Sequence, residues 1–188
     1  MTSMMQMWLP VLLSAVAVFL ASGISHMALK FWHQADSRGF DNEDEVAAVV
    51  RRGAKGAGMY MLPYCTTENA TTPEMKRKLA EGPVGVMFLR ERDSGVGKAL
   101  AQWFVLVLVI TLFVAYVAAN TLAAASPAMH VFRVTGTIAF MAYGFAPILY
   151  GIWFGQPWGS VFKHVFDGVI YGLLTGAIFA WLWPAEIA

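Results

Sequence analysis

Long apolar stretches separated by one charged segment dominate the pattern of hydrophobic and polar positions along this chain. Four of them are long enough for transmembrane helices, because a bilayer core of about 30 Å needs roughly 20 apolar helical residues. These predicted spans lie at about Trp8–Leu29, Ala99–Thr121, Val134–Trp153 and His164–Trp183. The pattern therefore predicts an all-α membrane protein with transmembrane helix 1 in residues 1–29 and helices 2–4 in residues 99–188.

Residues 30–98, between spans 1 and 2, carry patterns typical of a small α+β extramembrane insert. The first predicted helix has acidic residues in its first turn and Asp41 or Asn42 as a cap, and the second begins at Thr72. A strand-like run follows each helix, and two strands alone are marginal in water. We therefore expect this insert to pack on the membrane surface, on the loop around 154–163 or on a partner. Short helices are predicted at about 42–52 and 73–81, and strands at about 58–64 and 83–89.

Charge is concentrated in the insert. Hydrophobic residues make up 58% of the chain and charged residues 13%, whereas soluble domains carry about 25% charged residues. A net charge of +1 gives no reason to expect a nucleic-acid partner. The sequence GAKGAG at 53–58 lacks the Lys-Ser/Thr ending of a phosphate-binding loop, so no nucleotide is expected. The single cysteine, Cys65, excludes an intramolecular disulfide.

The side of the membrane that holds the insert is predicted from basic residues near the spans. Arg133 and Lys163 fall in the two short predicted loops, on opposite sides of the membrane, and cancel each other. The uncharged N-terminus and the basic residues Lys30 and Arg38 after span 1 favour a cytoplasmic insert.

Glycines recur every four residues in span 4, in the sequence DGVIYGLLTGAIFA. Residues four apart share one helix face, so these small residues form a shallow groove about 18 Å long. Small residues allow close helix packing in lipid, and a glycine costs about 1 kcal/mol in a helix relative to alanine. The groove is predicted to pack on span 1 or another span of this chain, or to receive a partner helix or lipid. The predicted packing residues are Gly168, Gly172, Gly176 and Ala180, with Ala17, Ala21 and Ser25 at matching spacing in span 1.

Polar residues able to carry chemistry gather at the membrane face that bears the insert. His26, His164 and Asp167 could meet there as two imidazoles and a carboxylate, a set that suits zinc or iron. His33 shares this level, but a straight helix would separate it from His26 by about 10.5 Å. His130 belongs to the opposite face. The other interpretation is interfacial hydrogen bonding, with Asp167 in the first turn of span 4 suiting the helix dipole.

The sequences ISHMALKFWH, DEVAAVV, GMYMLP, EGPVGVMF and FDGVIYGLLTGAIFAWLWP together resemble a family of small uncharacterised bacterial four-span membrane proteins. The resemblance covers most of the chain. It implies a bacterial inner membrane and four spans with a folded insert. It implies no activity and no functional residues.

Three functions are compatible with the sequence. The favoured one is a non-catalytic accessory subunit whose spans pack against other subunits of a larger membrane complex, with respiratory and photosynthetic complexes as candidate hosts. The first alternative is a metal- or haem-binding redox protein that uses His26, His164 and Asp167. The second is a small oligomeric transporter. No cofactor is predicted under the favoured interpretation, bound lipid is expected, and metal, haem or pigment contact belongs to the alternatives.

Overall fold

The computed structural model describes residues 4–90, 92–93 and 95–184. It confirms the predicted fold class: the chain is 72% helical, with a small sheet between the first and second membrane-spanning helices. Within the described residues, four helical stretches are long and apolar enough to cross a membrane. These stretches are Met4–Ala28, Val96–Thr121, Ala128–Phe154 and Trp158–Trp181.

A wide turn interrupts the first span before its end. Helix α1 (Trp8–Gly23) continues into a π-helical turn at Ile24–Ala28. The backbone then leaves the helical region at Leu29 (φ −88°, ψ 75°), and the short helix α2 (Lys30–His33) follows. Single π-helical turns are rare and are frequently found at functional sites. The first span is therefore not one straight helix up to His33. The predicted separation of His26 and His33 assumed a straight helix, so it does not apply.

The insert has the predicted order helix, strand, helix, strand. Its elements are α3 (Glu43–Gly53), β1 (Gly58–Leu62), α4 (Pro73–Glu81) and β2 (Gly85–Leu89). The two strands pair antiparallel, with the middle residues Tyr60 and Met87 opposite each other. These elements form one compact unit with Ile152–Gly155, and the four long helices form another.

The starts of the two insert helices differ from each other. Thr72 caps α4 as expected, because its hydroxyl accepts a hydrogen bond from the Met75 amide at 3.2 Å. The expected side-chain cap of α3 by Asp41 or Asn42 is wrong. Asn42 holds the capping position, but its side-chain amide donates to the Glu45 carboxylate at 2.9 Å instead.

The third and fourth spans begin earlier than the sequence pattern indicated. Span 3 consists of α6 (Ala128–Gly144) and α7 (Ala146–Phe154), divided at Phe145, and follows α5 (Val96–Thr121). Helix α8 (Trp158–Trp181) begins six residues before the predicted start. Arg133 and Lys163, assigned to loops from the sequence, therefore lie inside α6 and α8.

The glycine face of α8 lies against α6. A Cβ atom built on Gly168 would come within 2.6 Å of Gly144 Cα, and one on Gly172 within 2.8 Å of the Gly136 carbonyl oxygen. A Cβ on Gly176 would lie 2.9 Å from the carbonyl oxygen of Phe132. These distances are shorter than real side chains allow, so only glycine permits this backbone contact. The groove is occupied by a helix of the same chain.

Span 1 contacts α8 away from this glycine face. The Ser25 hydroxyl lies 3.3 Å from the Tyr171 hydroxyl, and Ala21 packs at the edge of a core cluster that contains Tyr171. The matching series of Ala17, Ala21 and Ser25 is therefore not the partner of the glycines, whose neighbours belong to α6. Gly136 and Gly144, eight residues apart in α6, supply the complementary small positions.

Candidate metal centre

Three histidines and one aspartate converge where the first span meets α8. Each of His26, His33, His164 and Asp167 offers a donor atom, and these four atoms lie within 4.8 Å of one another. Metal–ligand bonds of about 2.0–2.2 Å place neighbouring donors about 3 Å apart and opposite donors about 4 Å apart. Separations of up to 4.8 Å exceed these values, so the side chains would have to reorient around a bound ion.

Asp167 is the most buried member of the cluster, with a relative exposure of 2%. Its Oδ1 accepts a hydrogen bond from the Trp32 indole at 3.0 Å, and its Oδ2 lies 2.7 Å from Nε2 of His33. The prediction that Asp167 lies in the first turn of its helix is wrong, because α8 begins at Trp158 and Asp167 is its tenth residue. A carboxylate buried in a membrane helix is costly unless it is paired, and such residues usually mark functional sites.

The three imidazole rings are stacked, with His33 in the middle. The ring centroid of His33 lies 4.1 Å from that of His26 and 4.5 Å from that of His164. The sequence-based argument against joint use of His26 and His33 required a straight helix. The π-helical turn and the break at Leu29 remove that condition, so His33 joins the cluster that the sequence limited to His26, His164 and Asp167.

An ion pair supports the far side of the His33 ring. Nδ1 of His33 lies 3.3 Å from Oδ2 of Asp36. The Lys163 ammonium group donates hydrogen bonds to Oδ1 of Asp36 at 2.6 Å and to the Trp32 carbonyl oxygen at 2.5 Å. The hydrogen bond from Lys163 is the main cause that lowers the pKa of Asp36 below its usual value. Asp36 is therefore an ionised carboxylate at neutral pH. It can accept a hydrogen bond from Nδ1–H of His33.

The two contacts of His33 restrict where its protons can be. A carboxylate that accepts from Nδ1–H leaves Nε2 with a lone pair, the arrangement that orients many metal-binding histidines. Nε2 then faces Oδ2 of Asp167 at 2.7 Å. A neutral His33 can donate only one proton, either from Nδ1 to Asp36 or from Nε2 to Asp167. In the first tautomer the Nε2 lone pair faces the Asp167 carboxylate, an arrangement that suits a metal ion; in the second, His33 and Asp167 share an ordinary hydrogen bond.

His26 is oriented by the backbone of its own helix. Its Nδ1 lies 3.1 Å from the Ser22 carbonyl oxygen and 2.8 Å from the Ser25 hydroxyl. A carbonyl oxygen can only accept, so the proton belongs on Nδ1 and the lone pair on Nε2. This tautomer leaves Nε2 available as a ligand.

Several residues of this site were not found from the sequence. The position of Trp32 near the end of a predicted span is typical of the aromatic belt at the membrane interface, yet its indole donates to Asp167. Lys163 was counted as a loop charge, and Asp36 was not singled out. Trp32, His33 and Asp36 do stand close together in the sequence FWHQAD, which is the one local signal that could have identified them.

No family model, no curated protein and no solved structure matches this chain. The function is therefore argued from the geometry of the cluster and its surroundings.

Proposed function

We propose that this chain is an integral membrane protein that binds a divalent transition-metal ion at His26, His33, His164 and Asp167. The observation that carries the proposal is the convergence of four donor atoms within 4.8 Å from two ends of the sequence. Imidazole and carboxylate ligands suit zinc, iron and copper in their divalent states.

The surroundings of the cluster support a metal ion over a purely structural role. Metal-bound histidines usually donate their second ring nitrogen to a carboxylate or carbonyl oxygen. Asp36 is placed to accept from His33, and the Ser22 carbonyl to accept from His26. A cation would also separate the lone pair on Nε2 of His33 from the negative charge of Asp167.

Metal binding can be tested on full-length protein purified without a histidine tag. After removal of bound metal with a chelator, Co²⁺ is titrated and the visible absorption of the bound ion is recorded. We expect one equivalent to bind with the intense absorption of a site of low coordination number. The His164→Ala and Asp167→Asn variants should lose this signal. The matched control is His130→Ala, which changes an exposed histidine of α6 outside the cluster.

Two results would contradict the metal site. One is wild-type protein that binds less than one equivalent while remaining folded by circular dichroism. The other is equal Co²⁺ binding by wild type and by a folded His26→Ala/His164→Ala double variant. Either result would leave the interpretation of His33 as a histidine hydrogen-bonded between two carboxylates, without a metal ion.

An accessory subunit is the second candidate, and one observation favours it. Large apolar side chains of the insert strands are exposed, including Met59 at 54% and Phe88 at 59%. Exposed apolar surface on a small sheet suits contact with a partner subunit or the membrane. The glycine groove no longer adds support, because α6 occupies it.

The accessory role is tested by native purification and mass spectrometry of co-purifying chains. A stoichiometric membrane subunit that is retained by wild type and lost in Met59→Ser would support it. Elution of wild type alone as a stable monomer would oppose it.

A bacterial inner-membrane location with the insert in the cytoplasm completes the proposal, and reporter fusions to the insert test that orientation. The transporter alternative has no comparable support, because much of the wall of the large cavity between the long helices is apolar.

A further inference from the structure

A large cavity opens between the four long helices, and the metal cluster forms part of its wall. This inter-span cavity has a volume of about 1060 Å³, at the upper limit of typical small-molecule pockets. Residues from α1, α5, α6, α7 and α8 line it. A space of this size between membrane helices would accommodate a molecule that reaches it from the lipid.

One side of the inter-span cavity is apolar. Helix α1 contributes Leu20, and the π-helical turn after it contributes Ile24. Helix α5 contributes Leu100, Leu106 and Ile110, which are spaced over nearly three turns. Leu20, Ile24 and Leu106 are also substantially exposed at the surface of the helices. The cavity therefore has an apolar wall that an alkyl or isoprenoid chain could follow to the lipid.

The polar part of the wall coincides with the candidate metal centre. His26, His164 and Asp167 all line the inter-span cavity. Gln156 lines it as well, and its side-chain amide donates to Ser160 at 3.0 Å, which leaves its carbonyl oxygen free to accept. Imidazole and amide groups can hydrogen-bond the carbonyl or hydroxyl oxygens of a ligand. A bound molecule would thus have one polar end and one apolar tail.

The charged and aromatic side chains that line the cavity restrict which polar head groups could bind there. Among the described residues, no Lys or Arg lines the cavity, and the one charged carboxylate is that of Asp167. An anionic head group such as a phosphate would find no basic side chain in this wall to pair with. Flat side chains surround the space instead: Phe19, Trp103, Tyr143, Tyr150 and Tyr171. A neutral, planar head group fits these walls better than a charged one.

We propose that the inter-span cavity binds a neutral, lipid-soluble quinone, with one ring oxygen at His164 and its tail along Leu20 and Leu106. The inference rests on the proposed function in that the quinone head would meet His164, one of the residues that hold the metal. Binding of the tail, however, depends on the α5 side of the cavity, which contributes no metal ligand. The two proposals can therefore fail separately.

The test uses full-length protein in nanodiscs of phosphatidylcholine and a radiolabelled decyl-benzoquinone as the probe. Ala99 lines the cavity, whereas Ala101, two residues later in α5, is exposed and does not. Ala99→Trp places a bulky ring in the space, and Ala101→Trp is the matched control. We expect saturable binding of about one quinone per chain in wild type and in the control. Binding should weaken at least tenfold in Ala99→Trp, while Co²⁺ stoichiometry stays unchanged in all three proteins.

Three outcomes would overturn the quinone site. The first is uptake that rises linearly with concentration and matches empty nanodiscs. The second is equal saturable binding in Ala99→Trp and Ala101→Trp. The third is a phospholipid that native mass spectrometry finds on the chain and that excess quinone does not displace. Saturable quinone binding with no Co²⁺ bound would instead refute the metal centre alone, and Co²⁺ binding without saturable quinone would refute the quinone site alone.

Discussion

Replacing Gly168 by alanine should destabilise the protein, although alanine is the better helix former. In the native backbone the new Cβ would lie 2.6 Å from Gly144 Cα and 2.8 Å from Gly144 N. Real Cβ atoms approach other heavy atoms to about 3.4 Å at the closest in ordinary contact. The two helices must therefore separate by roughly 1 Å at this point, and both sides of the contact are backbone that cannot rotate away.

The expected change in the free energy of unfolding is the difference between two opposing effects. Alanine gains up to about 1 kcal/mol over glycine in a helix interior. Overpacking a tight contact costs about 1–3 kcal/mol, and here the clash is with backbone rather than a flexible side chain. Because α6 and α8 also contact at Gly136 and Gly172, a shift at one point loosens the neighbouring contacts. We expect a net loss of about 1–2 kcal/mol in the free energy of unfolding of Gly168→Ala.

The assay is reversible unfolding in mixed micelles as the fraction of denaturing detergent rises, followed by circular dichroism. Gly159→Ala is the control in the same helix, because a Cβ there meets nothing within 4 Å. The control should be unchanged or slightly more stable than wild type. If Gly168→Ala is as stable as Gly159→Ala, the close contact of α8 with α6 is wrong.

Other variants test the cluster, the insert and the glycine face. Trp32→Phe removes the donor to Asp167 and should weaken Co²⁺ binding about 10- to 100-fold. Trp181→Phe, at an exposed position, should leave Co²⁺ binding unchanged. Equal Co²⁺ affinities of the two variants would contradict the supporting role of Trp32. A saturating metal, at 100 times its Kd, should raise the free energy of unfolding by about 2.7 kcal/mol in wild type and not in Asp167→Asn; an equal rise in both would point to binding elsewhere. Thr72→Ala should lower the free energy of unfolding by about 1 kcal/mol and speed amide hydrogen exchange in α4, because it removes the cap. Thr71→Ala should do neither. Unchanged amide exchange in Thr72→Ala would show that the cap does not stabilise α4.

Much of the architecture was predictable because apolar length alone identifies a membrane helix. The positions of the four spans follow from runs of about 20 apolar residues, and the insert helices follow from Thr72 and the acidic start of α3. The early start of α8 was missed because Lys163 was taken as a loop residue. Pro157, directly before the helix, was the available signal.

The cluster was only partly predictable, because its geometry depends on a local departure from α-helical form. His26, His164 and Asp167 were grouped correctly by the level at which their spans meet the membrane surface. His33 was placed out of reach, since nothing in the sequence SGISHMALK distinguishes a π-helical turn from a regular one. The sequence also could not decide which helix packs on the glycine face, because small residues occur at suitable spacing in both span 1 and span 3.

The contact between His33 and Asp167 joins residues 134 positions apart, and this separation has a consequence for biogenesis. Helix α8 is synthesised after the other three spans, so the cluster can assemble only once this fourth span has left the ribosome. Placing an unpaired Asp at the centre of a membrane helix costs about 2.5–3.5 kcal/mol during insertion. Trp32 and His33, already at the membrane when α8 arrives, would offset part of that cost. The first span and the segment after it thus receive the fourth span. Chains truncated before α8 would lose the partners of five polar contacts, made by Ser25, Trp32 (two contacts), His33 and Asp36.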